Sequence, residues 1–217
     1  MRTAGGGVAE AILYVVVLAL AWSVARSKSG NLVELRLRPG PVVLWSLIAV
    51  PSLLALVAPG LIKGLERTPG LITYDDEWWR VVTSVLVQDQ GVVGTAVNLL
   101  VLAAVVVIAD PIWGTARMFT VFACSHILFG LLATYVFPTS GAGSSAATAA
   151  LASSIVGLVS VLEPSRRDLW LALAVSLTGV ALLVLQDVHG VAVLTGVVVG
   201  AVVGVVWPPD RVLASVP

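Results

Sequence analysis

Apolar runs of about 18 residues or more, the length needed to cross a hydrocarbon core, recur along this chain and decide most of what it can fold into. Only 11% of its 217 residues are charged, 59% are hydrophobic, and the mean hydropathy is +1.04. A water-soluble domain carries roughly 25% charged residues, so too little polar surface is present to solvate a globule. The chain is therefore read as an integral membrane protein. In lipid the backbone must satisfy its own hydrogen bonds, which makes the runs helices and the fold an all-α transmembrane bundle.

Seven spans are expected, roughly 8–25, 41–62, 92–113, 118–137, 145–162, 169–186 and 188–207. Charged or Pro/Gly-bearing breaks separate them, and Pro51 and Pro59 are expected to kink or end the second span. Residues 1–40 are read as an N-terminal transmembrane helix with a basic cytoplasmic linker, and 41–217 as a six-span core. The first run also offers a small-residue cleavage site in AWSVARS, as a signal peptide would. Its length and the internal Glu10 favour a retained helix with its N-terminus outside.

Orientation follows from Lys and Arg. With the 26–40 segment inside, Arg26, Lys28, Arg36, Arg38, Arg117, Arg166, Arg167 and Arg211 are cytoplasmic, against Arg2, Lys63, Arg67 and Arg80 outside. Eight against four obeys the positive-inside rule, and Trp22, Trp45, Trp113, Trp170 and Trp207 fall near the inner ends of spans. The long outer connection, 63–91, carries both charges and the pair Trp78–Trp79, and is read as an interfacial structure. Zero formal net charge argues against a nucleic-acid partner. The single cysteine, Cys124, rules out a disulfide framework. No cofactor or metal site is read.

Polar groups inside a membrane are costly, so the few present mark the chemistry. Asn98, His126, Ser145 and His189 stand out. Ser145 and His189 both open their helices at the outer side and so share a depth. After His189 come Gly196, Gly200 and Gly204 at four-residue intervals, and after Ser145 come Ala146, Ala149, Ala150 and Ser153. Such small-residue faces let helices pack with backbones nearly touching. A hydroxyl and an imidazole brought together this way form an activated nucleophile and its base.

These residues resemble the rhomboid intramembrane serine proteases: Trp79-Arg80 in an outer loop, Asn98 in the next span, GSSA at Gly143–Ala146, and His189 heading a glycine-striped last span. The resemblance covers about 41–207, with 8–25 as an extra helix. It implies a Ser–His dyad of Ser145 and His189 that cleaves transmembrane segments of other membrane proteins near the membrane surface, with Asn98 supporting the oxyanion. Gly196 and Gly200 fall on the family's last-span motif. Two positions depart from it. Gly94 stands where the family usually has histidine, and Ala146 where glycine is usual. Losing one oxyanion donor costs about 10²–10³ in rate.

Each residue also has a plainer reading. Serine commonly caps a helix, and Ser144 competes with Ser145, disfavoured by motif register alone. His189 also suits a boundary histidine reaching headgroup water, and Asn98 interhelical glue. Trp79 and Arg80 serve equally as loop anchors or substrate contacts. His126 and Cys124 are read as packed interior residues; Asp187, two residues from His189, is placed to tune it but is read in preference as part of a solvated turn. The leading expectation is a serine endopeptidase of a bacterial plasma membrane, with a transmembrane protein as substrate. The alternative is an inactive rhomboid-like protein that binds transmembrane helices. A transporter is disfavoured, since spans two, six and seven hold no central charge.

Overall fold

The computed structural model describes residues 8–29, 38–162 and 164–209. Among them the chain is almost wholly helical: α1 (Val8–Ser29), α2 (Pro39–Val57), α3 (Gly60–Leu65), α4 (Pro69–Tyr74), α5 (Arg80–Thr83), α6 (Gly91–Trp113), α7 (Thr115–Tyr135), α8 (Ser145–Val161), α9 (Arg166–Val184) and α10 (His189–Val206). Helices α2, α6, α7, α9 and α10 are long and apolar enough to cross a membrane, and shorter apolar segments occur at Tyr14–Ala25 and Ser145–Val161. Most of the basic linker expected before the second span, residues 30–37, lies outside the described residues.

The second expected span is shorter than its apolar run. It stops at Val57, and Ala58 leaves the helical region at φ −129°, ψ 75°. The Pro59 ring causes this, because it crowds the residue before it out of the α conformation. Pro51, by contrast, sits inside α2 without ending it. The connection after α2 then folds into α3, α4, α5 and a 3₁₀ turn at Ser84–Leu86.

Helix α8 is the centre of the bundle. It packs against α1, α6, α7, α9 and α10, and between Ala146 and Val159 every residue but Ala149 is buried. Its run of Ala and Ser lets the neighbouring helices approach closely, while Leu151, Ile155 and Leu158 fill the space between them. The helices around it expose large apolar side chains outward, among them Leu53, Leu100, Leu177 and Val202. That surface suits lipid.

The tightest contact joins α8 to α10. A Cβ on Gly196 would lie 2.2 Å from the Ala150 carbonyl oxygen, and one on Gly200 2.1 Å from that of Ser154. From the other side, a Cβ on Gly157 would meet the Val197 carbonyl oxygen at 2.0 Å. Ser153 ties the seam with a buried bond from its hydroxyl to the Val193 carbonyl, 2.9 Å. Because the opposing atoms are backbone, no side-chain rotation relieves a substitution. Gly200→Val is expected to lower the thermal midpoint in detergent, with about 1–3 kcal/mol of overpacking. Gly64→Ala, with nothing within 4 Å of the new atom, leaves it unchanged; equal effects at the two sites would contradict this account of the seam.

Candidate active site

Helices that touch along their small faces carry their first residues to the same end. Ser145 opens α8 and His189 opens α10, and the Ser145 Oγ lies 2.8 Å from His189 Nε2. The other imidazole nitrogen, Nδ1, lies 2.8 Å from Asp187 Oδ1, which also accepts the His189 backbone N–H at 2.9 Å. An ionised carboxylate only accepts hydrogen bonds, so Nδ1 carries the proton and Nε2 turns its lone pair toward the Ser145 hydroxyl. The histidine is thus set in the tautomer a general base requires.

Asp187 overturns the solvated turn expected of it. It is fully enclosed, 0% exposed, in the turn joining α9 to α10. The preceding Gln186 adopts φ +62°, a left-handed conformation uncommon for a residue with a side chain. This conformation, with the Asp187 N–H bonded to the Leu182 carbonyl at 2.9 Å, turns the carboxylate inward. Burial acts to raise the Asp187 pKa, but hydrogen bonds and charge from His189, with the Tyr14 hydroxyl on Oδ2, outweigh it and hold the carboxyl below its usual value. The pattern Asp-x-His is visible in the sequence; the inward turn that makes it a contact is not.

Asn98 and Gly143 form the other wall. A Cβ on Gly143 would lie 3.1 Å from Gln88 Oε1, 3.7 Å from Ser145 Oγ and 3.9 Å from Asn98 Nδ2. Glycine is required there, because φ is +156° and any side chain would fill the space these atoms share. The wholly buried Gln88 organises this wall. Its Oε1 accepts from Asn98 Nδ2 at 2.9 Å and from the Ser144 N–H at 3.3 Å, while its Nε2 donates to the hydroxyls of Ser52 and Ser144, each 3.3 Å away. Ser144 is therefore engaged with Gln88, and Ser145 is the serine on the imidazole. At Gly94 a Cβ would lie 2.3 Å from the Gln90 Cβ, so the Gln90 side chain covers the position where histidine is absent.

Two cavities meet at the pair. One, of about 30 Å³, is lined by Arg67, Asp89, Gln90, Gly143, Ser145 and His189, polar and large enough for a water. The other, about 350 Å³ and mostly apolar, lies between α1 and the pair, with Leu18, Val97 and Val101 in its walls. Arg67 donates to the Thr139 carbonyl at 3.1 Å and lies over Phe129, 5.0 Å from the ring centroid. Burial pushes its pKa down to about 10, against the opposing charge of Asp89, and it stays cationic at neutral pH.

The remaining expected residues divide. Arg80 is buried and staples the outer loop through Glu77 and the carbonyls of Lys63 and Glu66; Trp79 is 40% exposed. His126 is buried 3.5 Å from the Ser84 hydroxyl, whereas Cys124 is exposed on α7, not packed inside as expected. An arginine that satisfies three loop groups at once is held by geometry that a Trp-Arg dipeptide does not reveal.

Fold and site together define a multi-pass helical membrane protein with a serine, an imidazole and a carboxylate in line at one end of its bundle. Residues 75–209 match the family model of the Rhomboid domain, well over half of the chain, and the protein belongs to the rhomboid family. No curated protein and no solved structure matches the chain.

Replacing Gln88 by leucine would strand the Ser144 N–H and unseat Asn98. The expected loss is about 1–3 kcal/mol of stability, the cost of a buried polar group left without its partner, read as a lower thermal midpoint in detergent; an unchanged midpoint would show that the amide organises nothing.

Proposed function

We propose that this protein is an intramembrane serine protease of a bacterial plasma membrane, cleaving transmembrane segments of other membrane proteins. The observation that carries the reading is the Ser145 Oγ 2.8 Å from an imidazole nitrogen whose partner nitrogen is held by a carboxylate. Ser145 is the nucleophile. Its proton passes to His189 Nε2 as Oγ bonds to the scissile carbonyl carbon, and the carbonyl π electrons move onto oxygen. His189 then returns the proton to the departing amine as the C–N bond breaks. A water, activated in the same way, hydrolyses the acyl-enzyme and restores Ser145. The polar cavity of about 30 Å³ beside the pair gives that water a route.

The oxyanion needs donors where charge develops. The Ser145 backbone N–H and Asn98 supply them, since one Asn98 amide proton is spent on Gln88 Oε1 and the other is available. Gln90, which covers Gly94 and lines both cavities, offers a further amide where the family has histidine. By the Lys/Arg count, the pair faces the outer side, where water is present.

The second reading, an inactive rhomboid-like binder of transmembrane helices, rests on the departures at Gly94 and Ala146, Gly94 foremost. Reaction with a small fluorophosphonate separates the two readings. Wild type and Ser144→Ala are expected to react, Ser145→Ala and His189→Ala to be inert, and Asn98→Ala to react about 10²–10³ more slowly. Inert wild type would favour the binder.

A further inference from the structure

Helix α1 lies outside the residues that match the family, which begin at residue 75, yet it reaches the site. It packs against α6, α8 and α9. Leu18, Ala21 and Trp22 face Val101 on α6 and Ile155 on α8 across an apolar cavity of about 220 Å³, and the Ser23 hydroxyl accepts from Arg167 on α9 at 2.8 Å. So anchored, α1 brings Tyr14 against the turn between α9 and α10. Its hydroxyl donates to Asp187 Oδ2, and its ring meets that of His189 edge-on, with centroids 5.4 Å apart and planes at 77°.

The two carboxylate oxygens of Asp187 therefore have separate tasks. Oδ1 receives the His189 Nδ1–H and backbone N–H, and Oδ2 receives Tyr14. A carboxylate held at one oxygen only is free to rotate and to offer either oxygen at varied angles. Held at both, it fixes the plane in which the imidazole must lie, and the Tyr14 ring limits that imidazole from the side. The other titratable groups lining the cavities at His189 are Arg67 and Asp89, both from the outer connection, and no hydrogen bond joins either to the ring among the described residues.

We infer that Tyr14 is a positioning residue of the active site, supplied by a helix outside the family core, and that it acts through Asp187 to hold His189 in the Nδ1–H tautomer facing Ser145. The inference rests on the proposed reading of Ser145 and His189 as the reacting pair. It also explains why an added helix belongs to this protein's catalytic unit: α1 closes the apolar cavity beside the pair and completes its polar chain.

The test uses the full chain in detergent micelles with Tyr14→Phe, which keeps the ring and removes the hydroxyl. Two measurements are made: fluorophosphonate reaction rate, and the ¹⁵N shifts of the imidazoles, which report the tautomer directly. The chain has only two histidines, so the signals are few. Wild-type His189 is expected as the single Nδ1–H form. Tyr14→Phe is expected to give a mixture of tautomers and a rate on the order of tenfold lower, the size of one hydrogen bond to a charged group. Ser23→Ala loosens α1 without touching the chain of bonds, and leaves the tautomer as in wild type.

A Tyr14→Phe protein with an unchanged tautomer overturns the inference, whatever its rate, because a slower reaction alone reports only a looser helix. A tautomer shift in a protein whose wild type never reacts would keep Tyr14 as the positioning group and remove the protease reading.

Discussion

Everything at the site depends on backbone-to-backbone contact between α8 and α10. Helices that meet through ordinary side chains pack about 8–10 Å apart, whereas α8 and α10 meet through their backbones. Here glycines on both sides bring carbonyl oxygens to within 2.0–2.2 Å of where a Cβ would stand. The helices can approach no further, and Ser145 and His189 are left at hydrogen-bonding distance. The contact costs side-chain packing, and α8 offsets that by being enclosed on every side. A buried scaffold then holds Ser145 and His189 at the ends of its two most closely packed helices.

Around that seam the polar groups form two hydrogen-bonded sets. Tyr14, Asp187, His189 and Ser145 are bonded in line, and Gln88 joins Ser52, Ser144 and Asn98 behind them. Buried polar networks stabilise only when their members are satisfied. The two sets draw on α1, α2, α6, α8, α10 and the connection after α2, so bonds that tie these elements together also hold Ser145, His189 and Asn98 in place.

Much of this was legible in the sequence because the lipid environment narrows the choices. Long apolar runs permit little except spanning helices, and the four-residue glycine spacing after His189 fixes which face α10 turns to a neighbour. Ser145 and His189 each open a helix at the same end of the bundle, a shared depth that the topology did not force. What the sequence hid depends on tertiary direction. Asp187 looked like a solvated turn residue because its inward orientation comes from the left-handed Gln186. Gln88 and Gln90 could be named as replacement donors for the missing histidine, but nothing in the loop marked Gln88 as wholly buried, and Tyr14 sits 173 positions from the carboxylate it holds. Cys124 occupies an apolar run whose outward face cannot be told from its inward one by composition.

The central claim is that one serine and one imidazole act on the same carbonyl. A peptidyl chloromethyl ketone tests it directly, because its carbonyl adds the serine oxygen while its methylene alkylates the base nitrogen beside it. The hemiketal reverts on denaturation, whereas the alkylated nitrogen survives digestion, so mass spectrometry should find the reagent, less chloride, on the peptide bearing His189 in wild type and not in Ser145→Ala. Alkylation of a residue other than His189, or equal alkylation of His189 in Ser145→Ala, would contradict the account.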